Sequence, residues 1–496
     1  MPRTPLMQAL RRISRSTPTL TRRRFLTTAT SATLLPATGL AATVKIAIVG
    51  AGLAGLTAAH QLNKAGYASR IYEASNRLGG RCYSARDIFA DGQVAEHGGE
   101  FFDAGHKEII ALAKELGLTL DDVLAATPKD THPIYLSAGK PYTLAQATKD
   151  WQPLYPMLQA QAKAIGEPNW RRATPAAKKF DAMTITDWIA AYVPGGAAGQ
   201  LGELIATAFA EETAADSEEQ SALNVIGTLA EDPRDNFNLY YTDSDQRLHT
   251  RGGNDQIPTR LGENLAANIH TGARLTAIRR MPNGKMRLTF DGAPEETFDR
   301  VIIAIPFAVI REAVDIDHAG FRPMKRQAIA KLPIGASVKC QLQFTNRAWT
   351  PLGCTGETRL SSKYFQTTWE VTRAQPGTAG IINFFSGGSR ARAAGALGNQ
   401  ALAAACLHDI EAVIPGISAL WNGRMTNDPW HKNPLSRGSY TFYPPGYQTT
   451  LRGIESEPEG NCFFAGEHTA PEPGFMNAGV VSGQRAARQL ASARLR

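Results

Sequence analysis

One stretch constrains this chain more than any other. Val44-Lys45-Ile46-Ala47-Ile48-Val49 is a short apolar run of the kind found in buried parallel strands. It enters Gly50-Ala51-Gly52-Leu53-Ala54-Gly55, and Leu56-Thr57-Ala58-Ala59-His60-Gln61-Leu62 then reads as a helix. Strand, glycine turn and helix in that order form a dinucleotide cradle. Gly50 permits the tight turn, Gly52 lets backbone approach a pyrophosphate, and Gly55 lets helix and strand pack closely. The helix N-terminus offers the phosphates free amides and the positive end of its dipole. Arg70-Ile71-Tyr72-Glu73 supplies a second strand that ends in an acid at the spacing of a ribose partner. A carboxylate there opposes a 2′-phosphate, which disfavours NADP.

Length and charge set the outer limits. At 496 residues and 53.5 kDa, two domains are the natural expectation. The net charge of +8 suggests an anionic partner until it is located. Residues 1–42 hold Arg3, Arg11, Arg12, Arg15, Arg22, Arg23 and Arg24 with no lysine or acid, so the rest of the chain is nearly neutral. A nucleic-acid partner is therefore not expected. Thr21-Arg22-Arg23-Arg24-Phe25-Leu26, a modest apolar stretch and the small residues Gly39-Leu40-Ala41-Ala42 predict a twin-arginine export signal over 1–42. That route carries folded, cofactor-loaded proteins, so the expected destination is the periplasm, with membrane anchoring if the leader is retained. The five cysteines (Cys82, Cys340, Cys354, Cys406 and Cys462) are scattered without metal-ligand spacing and are expected to be small buried residues. No metal site is predicted.

Further motifs separate FAD from NAD. Glu73-Ala74-Ser75-Asn76-Arg77-Leu78-Gly79-Gly80-Arg81 closely resembles the segment after the ribose acid in the flavin amine oxidase superfamily, and Ala95-Glu96-His97-Gly98-Gly99-Glu100-Phe101-Phe102 its loop at the isoalloxazine edge. Cys462-Phe463-Phe464-Ala465-Gly466-Glu467-His468, with Pro473-Gly474-Phe475-Met476-Asn477-Ala478-Gly479-Val480, resembles the C-terminal flavin motif of that superfamily, which includes monoamine, polyamine and L-amino-acid oxidases. Arg251–Pro258, Arg274-Leu275-Thr276-Ala277-Ile278 and Val301–Pro306 look like its central return to the FAD domain. The resemblance runs from about Val44 to about Leu490. It implies a monoamine-oxidase-like α/β fold, with a discontinuous Rossmann-like FAD domain (43–125, 241–306 and 425–490) and a mixed α+β substrate domain (126–240, helix-rich, and 307–424, strand-rich). It also implies FAD contacts from Gly50, Ala51, Gly52, Leu53, Ala54, Gly55, Glu73, Ala74, Gly80, Arg81, Gly98, Gly99, Glu100, Leu275, Gly466, Glu467, Phe475, Met476 and Ala478.

The same resemblance suggests where chemistry sits. Val338-Lys339-Cys340-Gln341-Leu342-Gln343-Phe344 alternates like a strand and matches the segment that brings the family's lysine, here Lys339, to flavin N5. A cation there would stabilise charge during reaction with O2. Trp430, Tyr440 and Phe475 would form an aromatic substrate cage, with Tyr440 and Phe475 as facing walls. Ser439 stands where mitochondrial monoamine oxidases carry a flavin-linking cysteine, so the FAD is expected to be non-covalent. The implied activity is oxidation of an amine C–N bond, with hydride transfer to flavin, imine hydrolysis and reduction of O2 to H2O2. An L-amino-acid oxidase, with basic amino acids as candidate substrates, is the alternative, and a non-catalytic flavin-binding module a further one. An amino acid would need a cation for its carboxylate, and Arg251, Arg359 and Arg437 are candidates by elimination. Glu100 could meet a second cationic group or simply anchor backbone. The expected partners are the substrate, O2 and the export machinery; a homodimer is compatible with the chain.

Overall fold

The structure is a computed structural model and describes residues 44–137, 140–230, 245–360 and 362–493. The expected export leader and the expected boundary near 240 lie outside the described residues. Among the described residues, no helix is long and apolar enough to cross a membrane.

A five-stranded parallel sheet draws its strands from three distant parts of the chain. Their order is Cys462–Phe464, Arg300–Ile303, Ile46–Val49, Ser69–Tyr72 and Ile269–His270. All four residues of Ile46–Val49 are buried, as expected for a parallel strand covered on both faces. On one face lie helix Leu53–Lys64 and the C-terminal helix Met476–Ser492, joined through Leu56, Ala58, Val480, Ala487 and Leu490. A three-stranded antiparallel sheet, Arg274–Arg280, Met286–Asp291 and Glu296–Phe298, covers the other face. There Tyr72 stacks on Phe290 at 4.3 Å and on His270 at 5.1 Å.

The second unit rests on a seven-stranded sheet in the order Trp421–Pro429, Ser337–Phe344, Gly380–Gly387, Thr367–Glu370, Cys354–Arg359, His132–Ser137 and Lys140–Pro141. Strand Ser337–Phe344 alternates in chemistry but not in burial, because all eight residues are buried. Val338, Cys340, Leu342 and Phe344 join an apolar core with Ile382, Phe384, Leu402 and Cys406. The polar set faces the other unit instead of water: Gln341 donates to the Glu96 carbonyl at 2.9 Å, and Gln343 to Gln93 at 2.8 Å. Such amides are tolerated in a dry interior only because each is partnered.

Six helices from Leu144–Trp151 to Ala222–Leu229 form a separate apolar cluster around Trp151, Trp188, Ile205 and Ile226. Their starts follow ordinary capping chemistry. Thr143 and Thr184 close capping boxes with Gln146 and Asp187, each cap contributing about 1 kcal/mol. The helix-rich expectation for this region overlooks strand His132–Ser137, which pairs with Cys354–Arg359. Its Pro133 and exposed His132 do not read as a sheet strand without that partner. All five cysteines are buried free thiols.

Candidate active site

A cavity of about 810 Å³ runs from the parallel sheet to the seven-stranded sheet. One end is the glycine turn. Gly50 adopts φ +100°, and a Cβ there would lie 2.9 Å from the Ala304 carbonyl oxygen. At Gly55 a Cβ would fall 1.9 Å from the Gly50 oxygen. No other residue fits either place. Gly52, Leu53 and Ala54 line the cavity, and the helix they begin has no side-chain cap. The C-terminal helix likewise opens into the cavity through Gly474, Phe475 and Met476, again without a side-chain cap. Two uncapped helix N-termini facing one cavity leave free amides and positive dipole ends for an anionic group.

Glu73 stands at the end of its strand and is held on both oxygens. Oε2 accepts from the Ala51 amide at 2.8 Å, and Oε1 from the amide and hydroxyl of Ser75 at 2.9 and 2.8 Å. Ala74, Gly80, Arg81, Gly98, Gly99, Leu275, Gly466 and Glu467 also line the cavity. Ala51, Gly55 and Ala478, expected to contact the cofactor, sit behind this lining: Ala51 and Ala478 are buried, and Gly55 packs against Gly50. Arg81 ties the two ends of the chain together. It donates to the Glu467 carboxylate at 3.0 Å and to the Ser439 carbonyl at 2.5 Å, while Glu467 accepts from the Gly474 amide at 2.8 Å. The residues present therefore fit an adenine dinucleotide with its pyrophosphate against the helix ends. Among the described residues no cluster could hold a metal ion.

Lys339 marks the other end of the cavity. Its side chain is almost fully buried, and Nζ lies 2.6 Å from Glu100 Oε2 and 3.1 Å from the Gly98 carbonyl. The second oxygen of Glu100 accepts from the Trp369 indole N–H at 3.0 Å. The carboxylate considered for a second cationic group thus already serves the chain's own ammonium. Trp430 lines the cavity and donates its indole N–H to the His97 carbonyl at 2.8 Å, which fixes the same loop from below. Tyr440 also lines it, its hydroxyl donating to the Glu211 carbonyl at 2.9 Å. Phe475 is part of the wall too, but its ring packs edge-on against His106 at 4.6 Å. Ser439 is buried and donates to the Gly335 carbonyl at 3.1 Å.

Several lining residues carry no signal in the sequence. Strand register places Lys339 opposite Phe385, Phe385 opposite Thr367, Thr367 opposite Arg359, and Arg359 opposite Tyr135. This row brings Phe385, Thr367, Trp369, Glu357 and Tyr135 to the cavity, with Glu211 and Arg373 beside them. Glu211 accepts from Thr367 at 2.7 Å and pairs with buried Arg359 at 3.2 Å. Burial pushes its carboxyl above the ordinary range, against the pull of Arg359 and Thr367. Burial likewise raises Glu357, whose Oε1 accepts from the Tyr135 hydroxyl at 2.9 Å, with Arg373 opposing and Glu211 adding to the rise. Four strands, a helix and the turn that carries Arg373 supply these groups, and only tertiary pairing assembles them. Of the arginines considered for a substrate carboxylate, Arg251 pairs with Asp121 outside the cavity, Arg359 is buried and paired with Glu211, and Arg437 reaches the cavity but pairs with Glu312 at 3.1 Å.

Comparison with known proteins gives this geometry its context. The family model for flavin containing amine oxidoreductase matches residues 53–491. A putative L-amino-acid oxidase of Bacillus subtilis, YobN, is 23% identical over 472 residues, covering 90% of this chain and 94% of the relative. The flavin-containing amine oxidase A of Sus scrofa is 25% identical over 465 residues, covering 91% and 85%. Among solved structures, putrescine oxidase bound to putrescine superposes with a TM-score of 0.77 at 22% identity, covering 91% of this chain and 99% of that one. Cyclohexylamine oxidase from Brevibacterium oxydans superposes with 0.78 at 22% identity, covering 90% and 99%. The chain belongs to the flavin-containing amine oxidoreductases, enzymes that bind FAD and oxidise small amines.

Proposed function

We propose that this protein oxidises an amine at the carbon bearing its nitrogen, within the Lys339 end of the cavity, and releases the product as an imine that hydrolyses in water. FAD, when bound, supplies the two-electron chemistry: acceptance of a hydride equivalent and its delivery to O2, giving H2O2. Gly50, Gly52, Glu73 and Arg81 would hold its adenosine and pyrophosphate, and Gly466, Glu467 and the start of the C-terminal helix the rest. The chain's own contribution is placement. Tyr440, Trp369 and Phe385 give the cavity aromatic walls that accept a slender amine and exclude water, which also favours the neutral amine required for oxidation. Lys339, held by Glu100, brings an ammonium dipole and N–H donors to the site where charge must be stabilised. The observation that carries this reading is the junction of a dinucleotide cradle with a buried lysine and aromatic walls in one cavity.

An amine is favoured over an amino acid, because acids outnumber bases in the part of the cavity away from the dinucleotide cradle. Glu211, Glu212 and Glu357 line it beside Arg373. Glu357 is three strands from Lys339, about 14 Å between backbones at ordinary strand spacing. This arrangement supports a second reading, a substrate whose far end is also cationic. The test is anaerobic mixing of the holoprotein with monoamines, diamines and L-amino acids while following visible flavin absorbance. Bleaching by amines is expected, strongest with diamines. Bleaching by amino acids alone would replace the reading with an amino-acid oxidase, and no bleaching would leave a flavin-binding module.

A further inference from the structure

The Lys339–Glu100 pair has a feature that an amine oxidase site does not require. The lysine does not enter the cavity as a lone cation. Its Nζ is 2.6 Å from a carboxylate that is itself only 8% exposed, and Lys339 is 4% exposed. Neither charge is screened by bulk water, so each is felt across the cavity far more than a surface charge would be. Glu100 also holds, through its second oxygen, the indole of Trp369, whose ring lies 5.7 Å from Lys339 Nζ on the same sheet. Its backbone is held as well. Fully buried Asn254 donates to the carbonyls of Glu100 at 2.6 Å and Gly99 at 3.1 Å, and a Cβ at Gly99 would already collide with the Met476 side chain. One carboxylate therefore holds both the ammonium and an aromatic side chain of the cavity.

We propose that Glu100 is a positioning residue that neutralises Lys339 and orients it together with Trp369, so that the protein presents a balanced charge pair, not a net cation, to the bound flavin. The proposal rests on the reading of Lys339 as the residue facing the reacting edge of FAD. Two-electron reduction of a flavin with uptake of one proton leaves one extra negative charge on the ring system, so the net charge facing it sets how readily FAD is reduced. Counting only this pair, the parent protein contributes zero, Glu100→Gln +1, Lys339→Met −1, and the double variant Glu100→Gln/Lys339→Met zero again.

The midpoint potential of bound FAD, titrated anaerobically with dithionite against a reference dye and with no amine present, reads this directly. The expected order from most negative to most positive is Lys339→Met, then parent and double variant together, then Glu100→Gln. Each single step should change the two-electron reduction equilibrium by on the order of tenfold or more. Thermal stability gives a second readout. Lys339→Met strands a buried carboxylate, and adding Glu100→Gln should restore stability. If Lys339→Met leaves the potential unchanged, the placement of Lys339 at the flavin fails. If Lys339→Met shifts it but the double variant tracks Lys339→Met, Glu100 exerts no such control and the proposal is overturned. The double variant is neutral and close in shape to the parent, so the comparison survives even if Glu100→Gln alone does not take up FAD.

Discussion

Lys325→Met should stabilise the protein, and by an amount that depends on pH. Lys325 lies beneath the strand leading to Gly466 and is 0% exposed. Its ammonium is 3.8 Å from the Phe464 ring centroid and donates to the Glu455 carbonyl at 2.9 Å. Burial lowers its pKa from 10.5 to about 7, although Glu459, Glu455, Cys462 and Glu457 all pull it upward. The folded state therefore resists holding the proton that the unfolded chain keeps. Below pH 7 both states are charged, and the full penalty applies. It is relieved as pH rises from about 7 to about 10.5, where both are neutral. At 1.36 kcal/mol per pH unit, the penalty at neutral pH is roughly 5 kcal/mol. The hydrogen bond and the ring contact return about half of that. Methionine has similar volume and no charge, so the variant should gain about 2 kcal/mol at pH 6.5. By pH 9 that advantage should fall by roughly 3 kcal/mol and so vanish or reverse. Denaturant titration of holoprotein and variant at both pH values measures the difference. An advantage of equal size at pH 6.5 and pH 9 would refute the claim that a buried, reluctant ammonium sets the cost.

Other expectations concern the site. With Ser439 in place of a flavin-linking cysteine, acid precipitation should release FAD into the supernatant, and yellow colour retained in the pellet would contradict this. Lys339→Met should slow reoxidation of the reduced enzyme by O2 at least a hundredfold in stopped-flow, on the scale of removing one preorganised electrostatic group. Glu357→Gln should raise KM for diamines about tenfold or more while leaving monoamines within about twofold, as loss of a charge-assisted hydrogen bond predicts. Burial raises the Glu357 carboxyl, so diamine KM in the parent should climb as pH falls through that raised pKa, and the variant should lose this dependence. Replacing Arg22 and Arg23 by lysine should retain the protein in the cytoplasm of a bacterium that has a twin-arginine pathway, as fractionation would show.

The two flavin motifs were legible because their physics is local. Gly50 needs a positive φ and Gly55 a contact with the turn that precedes it, and both demands fall within six residues. The seven arginines of residues 1–42 and the acid at Glu73 are likewise properties of short segments. Lys339 could be singled out only through the motif around it. The alternation from Val338 to Phe344 marked a strand, but not that its polar face would be buried against a second unit with Gln341 and Gln343 fully partnered.

Tertiary structure alone decided the rest. From its neighbours in sequence Glu100 was equally suited to a substrate cation or to anchoring backbone; the packing of strand Ser337–Phe344 beside its loop gave it Lys339, and strand Thr367–Glu370 gave it Trp369. Arg359 was a candidate for a substrate carboxylate until helix packing gave it Glu211, with which it pairs while buried. Glu357, Glu211 and Tyr135 come from segments up to 222 residues apart, joined by a hydrogen bond and shared walls that no short pattern encodes. The dinucleotide cradle is written in neighbouring residues because backbone conformation is a local property. The substrate end depends on strand register, and register is set by how distant faces pack.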